Sequence, residues 1–208
     1  MGQLTTFDLT NWIEIYNLKM YFETGTGEGV SLSHAASYEF DQLFSVDIDG
    51  DLIDSAKQKF IENKKINLLH NYSVEAISEI LPTLDKDKNI LFFLDAHFPG
   101  ADFHKISYEE SLRQFGKNSI PLQEELATIM SLRDVSNDVF IIDDLMLYEE
   151  GDFESIRQGV IWKYKDLQKE LNLITESNFI YDMFKDTHEC IKDFRHQGYL
   201  IITPKKGK

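Results

Sequence analysis

Met20-Tyr21-Phe22-Glu23-Thr24-Gly25-Thr26-Gly27-Glu28-Gly29 is the stretch that decides how this chain is read. An apolar run ends on a carboxylate, and a glycine-rich turn follows at once. Three later runs close the same way: Leu43-Phe44-Ser45-Val46 on Asp47, Ile90-Leu91-Phe92-Phe93-Leu94 on Asp95, and Val139-Phe140-Ile141-Ile142 on Asp143. Near-continuous apolar runs are what strands buried on both faces of a parallel sheet look like. In open α/β sheets the ligand crevice lies beyond the carboxyl ends of the strands. The pattern predicts four acids, Glu23, Asp47, Asp95 and Asp143, brought to one crevice beside the glycine turn.

Outward from that stretch, helical patterns alternate with the strands. Helices are expected over Asp8 to Asn17, about Ser31 to Phe40, Asp51 to Asn63, Val74 to Leu81, from Pro121 onward, and about Phe153 to Asn172. Ile66 to Leu69 reads as a third strand, and Asn178 to Phe184 with Tyr199 to Thr203 as a closing hairpin. This order predicts a three-layer α/β sandwich with a mostly parallel seven-stranded sheet and a C-terminal antiparallel hairpin. No repeat or linker interrupts it, so residues 1–208 are expected to form one domain. The segment at about 98–120 is too long for an ordinary connection and reads as a lid or specificity insertion. His104, Tyr108 and Arg113 within it could meet a ligand, although packing is the commoner role. Exposed Phe98, Phe103, Tyr108 and Phe115 there would suit a closing lid or a homodimer equally.

The net charge of −15 argues against a nucleic-acid partner or an anionic membrane surface, which attract clustered Lys and Arg. The basic tail Lys205-Lys206-Gly207-Lys208 is too short to change that. No apolar segment approaches the ~20 residues that span a bilayer, and Met1 to Thr10 lacks the pattern of a signal peptide. A cytoplasmic location is the default expectation. The single Cys190 excludes an internal disulfide and a zinc site built on paired cysteines; it reads as a small packing residue. His34, His188 and His196 read as surface residues.

Glycines let backbone pass close to a ligand and turn sharply into a helix. The spacing is Gly-x-Gly-x-Gly, without the third-glycine spacing of a dinucleotide fingerprint or the Lys-Ser/Thr of a phosphate loop. Glu23 before it would repel a pyrophosphate but suit an ammonium or sulfonium. Asp47 falls 22 positions past Gly25, near the offset of about 20 at which an acid takes a ribose hydroxyl pair.

Phe22-Glu23-Thr24-Gly25-Thr26-Gly27-Glu28-Gly29 with Phe44-Ser45-Val46-Asp47-Ile48-Asp49 resembles the class I S-adenosylmethionine-dependent methyltransferases, over roughly Tyr16 to Pro204. The resemblance implies a Rossmann-like fold and S-adenosyl-L-methionine as cofactor. It implies that Glu23, Thr24, Gly25, Gly27 and Gly29 hold the methionine part, Asp47 the ribose, and Ile48 and Ser73 the adenine, with Asp95 beside the cofactor. His70-Asn71 stands where that family often has Gly-Asp, a departure at the adenine end.

Asp95, Asp143 and Asp144 form a second constellation. If their strands are neighbours the carboxylates converge, and crowded hard oxygens suit Mg²⁺ or Ca²⁺. Without a cation they would repel one another, and at least one would be driven to protonate. Phe93-Leu94-Asp95-Ala96-His97 with Ile141-Ile142-Asp143-Asp144 is similar to the metal-dependent O-methyltransferases of the catechol and macrolide-sugar types. That likeness implies Asp95, Asp143 and Asp144 as ligands of magnesium or another divalent cation. His97 has an intrinsic pKa near ~6.5 that suits a base; that family's lysine lies slightly further on, where this chain has Phe98.

The expectation is an enzyme that methylates a hydroxyl of a small molecule or sugar, with His97 and Asp95 catalytic and Mg²⁺ bound. The rivals are a metal-independent N- or O-methyltransferase, a nicotinamide-dependent oxidoreductase, disfavoured by Glu23 and the glycine spacing, and a non-catalytic S-adenosylmethionine-binding module.

Overall fold

The computed structural model describes residues 4–173 and 176–205; Met1 to Gln3 and the Lys206-Gly207-Lys208 end of the basic tail lie outside them. The strands are β1 (Leu18–Thr24), β2 (Gln42–Asp47), β3 (Ile66–His70), β4 (Asn89–Leu94), β5 (Val139–Ile142), β6 (His188–Asp193) and β7 (Tyr199–Pro204). They form one sheet in the order β3-β2-β1-β4-β5-β7-β6. The first five are parallel, and β7 runs antiparallel to both β5 and β6. The predicted sandwich is what forms.

The apolar runs explain the layering. On β4, Ile90, Phe92 and Leu94 enter one buried cluster while Leu91 and Phe93 enter the other, on the opposite face. Val139 and Ile141 against Phe140 and Ile142 divide in the same way on β5. Each strand is buried on both faces, which is why its sequence shows no polar alternation.

The helices are α1 (Thr10–Ile15), α2 (Val30–Ala35), α3 (Gly50–Lys59), α4 (Ser73–Ile80), α5 (Tyr108–Phe115), α6 (Leu122–Leu132), α7 (Glu154–Arg157), α8 (Lys165–Glu170) and α9 (Asn178–Phe184). Helix α2 is shorter than the expected Ser31 to Phe40. The helix expected over Phe153 to Asn172 is broken: α7 stops short, Gly159 takes φ +91°, and residues 160–164 carry no regular structure before α8. Asn178 to Phe184 is a helix and not a hairpin strand; Ile180 and Phe184, four apart, are its buried stripe. The strand paired with β7 is β6. Its His188 is buried, correcting the surface reading: Nε2 lies 3.0 Å from the Asp138 carbonyl oxygen.

The insertion is packed structure. The Phe98 backbone N–H donates to the Ser119 carbonyl at 2.9 Å and closes its base. A capping box of Ser107 and Glu110 starts α5. Phe98 is buried, and Phe103, Tyr108 and Phe115 are partly buried, so the expected exposed aromatic patch does not form.

Candidate active site

Backbone bonds splice the parallel strand ends together. Gly25 N–H donates to Val46 O at 2.9 Å, Asp95 N–H to Thr24 O at 3.1 Å, and Asp143 N–H to Leu94 O at 3.1 Å. The chain segments leaving β1, β2, β4 and β5 therefore start from one rim. Above it lies a cavity of about 500 Å³. Gly25, Gly27, Asp47, Ile48, Ser73, Asp95, His97 and Asp144 all line it.

At one end Asp47 organises the turn. Its Oδ2 accepts from Gly27 N–H and its Oδ1 from Asp49 N–H, both at 2.9 Å. Burial pushes its carboxyl upward while these two donors pull it back. Gly25 and Gly27 both have positive φ, so the turn uses conformations that glycine takes freely. Asp49 anchors the insertion from below, taking the Lys105 ammonium at 2.5 Å.

Four expected residues do not face this cavity among its lining. Glu23 is fully buried beneath the turn, where its Oε2 accepts from Ser45 Oγ at 2.8 Å; burial holds its carboxyl well above the usual range. Thr24 is spent on Asp95, whose N–H lies 3.3 Å from its Oγ1. Gly29 sits at the start of α2, against the Phe60 ring. Asp143 is buried, with Oδ1 accepting from Asp144 N–H at 2.7 Å, and burial beside Asp95 and Asp144 raises it strongly.

At the other end His97 is the hub. Nε2 donates to Asp95 Oδ1 at 3.1 Å and lies 3.0 Å from Asp144 Oδ2; Nδ1 is 3.2 Å from Asp102 Oδ2, an ionic contact without hydrogen-bond alignment. Burial opposes charge on the ring, but the carboxylates outweigh it and hold His97 well above the ordinary histidine range. Burial lifts Asp95 to about 6 although His97 pulls the other way. Asp102 is held low despite its burial, by His97 and by the Tyr108 hydroxyl that donates to it at 2.6 Å. Phe98 and Asp144, on either side of the imidazole, both have positive φ, strain of the kind that collects at functional sites.

Among the described residues no group of three or more His, Cys, Asp or Glu side chains is placed to hold a metal ion. The imidazole stands between Asp95 and Asp144, and Asp143 faces away from the cavity lining. The carboxylates as arranged do not fit the expected divalent cation.

Asp102, Trp162 and Tyr164 also line the cavity and escaped the sequence reading. Asp102 carried no strand-end signal, and the two aromatics lie where a continuous helix was expected.

No protein-family profile matches the chain. No curated protein matches it either. Solved structures do. A caffeoyl-CoA O-methyltransferase described from Staphylococcus aureus superposes with a TM-score of 0.62 at 15% identity, over 99% of this chain and 85% of that one. An O-methyltransferase from Bacillus cereus in complex with S-adenosylhomocysteine gives 0.55 at 11%, over 95% and 79%. A methyltransferase from Podospora anserina bound to the same product gives 0.52 at 14%, over 93% and 75%. The chain has the fold of the class I S-adenosylmethionine-dependent methyltransferases. No helix among its described residues is long and apolar enough to cross a membrane.

Proposed function

We propose that the protein transfers a methyl group from S-adenosylmethionine to a hydroxyl of a small molecule or sugar. The observation that carries this reading is one continuous cavity with Asp47 and the glycine turn at one end and His97 at the other. Bound there, the cofactor supplies an electrophilic sulfonium methyl. Gly25 and Gly27 offer it close backbone, Asp47 is the acid for its ribose, and Ile48 and Ser73 flank its adenine. Glu23 supports the turn from beneath instead of touching the ligand.

His97 is the proton-handling group. Its Nε2 passes a proton to Asp95 Oδ1, whose proton affinity burial has raised, and then accepts the proton of an acceptor hydroxyl. Asp95 and Asp144 keep the ring oriented, so much of the acceleration comes from placement. No step is drawn through magnesium, because the carboxylates do not fit it as placed.

Calorimetric titration with S-adenosylhomocysteine tests the cofactor end. Wild type binds, and Asp47→Asn, left with one acceptor oxygen for two backbone donors, binds at least about tenfold more weakly. No heat with wild type refutes the reading. In an acceptor screen His97→Asn loses about 10² in kcat or more at nearly unchanged cofactor affinity. Turnover persists after chelation with EDTA; its abolition, with recovery on adding Mg²⁺, restores the metal-dependent alternative.

A further inference from the structure

The outer half of the cavity is walled by a segment that breaks a helical pattern. After α7, residues 160–164 run along the cavity, and all five line it. Trp162 is held firmly: its ring centroid lies 4.8 Å from Phe98, 5.0 Å from Tyr164 and 5.8 Å from Tyr108, and its Nε1 donates to the buried Gln168 at 3.0 Å. Beside it Ile161 is 81% exposed and Val160 46%. Large apolar side chains left open at the mouth of a cavity mark a surface that a ligand covers. An aromatic wall of fixed orientation offers its face to a ring.

The polar groups opposite set the charge of that ring. Asp102 and Asp144 line the same end, and the lysine or arginine among the lining residues is Lys163, which is exposed. Carboxylates accept from hydroxyls and repel phosphates. A phosphate subsite instead presents arginine forks or helix N-terminal amides.

We propose that this half of the cavity seats a hydroxylated ring without a phosphate group, face-on against Trp162, with the 160–164 segment determining specificity. The proposal rests on the methyltransferase reading, which assigns the inner half to the cofactor. It separates this protein from a methyltransferase whose acceptor carries a nucleotide or coenzyme A tail. Phenolic and sugar rings share the required chemistry, an apolar face with hydroxyls at the edge, and the assay distinguishes them.

Ligand-observed saturation-transfer NMR titrations with catechol, methyl α-glucoside, phenyl phosphate and glucose 6-phosphate test it, on protein saturated with S-adenosylhomocysteine. At least one unphosphorylated ring binds saturably, and the phosphate esters bind at least tenfold more weakly; the tighter of the two neutral rings identifies the source. Trp162→Ala weakens that ring about tenfold while S-adenosylhomocysteine affinity stays within about threefold. Ile161→Asn, at a residue too exposed to unfold the chain, weakens it in the same direction. Phosphate esters that bind as well as the neutral rings overturn the proposal. So does cofactor binding without ring binding, or a Trp162→Ala protein that binds the ring as wild type does. Failure of wild type to bind S-adenosylhomocysteine is a different result: it overturns the cofactor reading beneath the proposal.

Discussion

Gly25→Ala tests the closest backbone approach in the site. Gly25 has φ +84°, and a Cβ there would stand 2.6 Å from the Asp95 carbonyl oxygen and 2.9 Å from its carbon. Both are backbone atoms, and Asp95 is itself tied by its N–H to Thr24 O, so neither strand end swings aside freely. Left-handed backbone costs an L-residue about 1–2 kcal/mol. Overpacking against an unyielding neighbour adds about 1–3 kcal/mol. The expected destabilisation is therefore about 2–5 kcal/mol, a large share of the roughly 5–15 kcal/mol that holds a domain folded. Gly27→Ala is the internal control. Gly27 has φ +51°, and its added Cβ would meet the Phe103 ring at 3.4 Å, a side chain that can give way. Only the conformational cost of about 1–2 kcal/mol remains there. Urea unfolding of both variants, read as a shift in midpoint at unchanged slope, makes the comparison. Gly25→Ala should also lose S-adenosylhomocysteine binding more completely, because its clash moves the β1 and β4 rims apart. Equal midpoints for the two alanine variants would refute the reasoning.

Glu125 on α6 is buried, and burial pushes its carboxyl from 4.5 up to about 7. The folded state then binds more protons than the unfolded one, so this group's contribution is intact below about pH 4.5 and lost as pH rises towards 7, by roughly 3 kcal/mol. Glu125→Gln should flatten that fall in urea midpoints measured between about pH 5 and 8; superimposable pH profiles would sink the assignment. At the opposite end of the sheet, the buried Arg133 pairs with Asp138 at 2.8 Å, and Asp138 also accepts from Ile90 N–H at 2.8 Å. Arg133→Met leaves that carboxylate uncompensated and should cost about 3–5 kcal/mol in the same unfolding assay. A loss under about 1 kcal/mol would show that the pair contributes little.

The sequence by itself determined the sheet, its rim and half of the site. Strands buried on both faces must be apolar throughout, so Ile90 to Leu94 and Val139 to Ile142 announced themselves, and the residues that follow them fall at the rim by topology alone. Asp47, Asp95, Gly25 and Gly27 were legible for that reason. Direction within the rim was not. Whether a carboxylate faces ligand or core depends on a single residue of register, and Glu23 and Asp143 turned inward where Asp47 and Asp95 did not. The helical period of Ile180 and Phe184 was present in the sequence but short enough to pass for a strand. The segment 160–164 gave no such signal: its course is set by Trp162 finding Phe98 and Tyr108, residues more than fifty positions away. Contacts of that range are chosen by tertiary packing, and so are the meeting of Asp102 with His97 and the filling of the space between Asp95 and Asp144 by an imidazole.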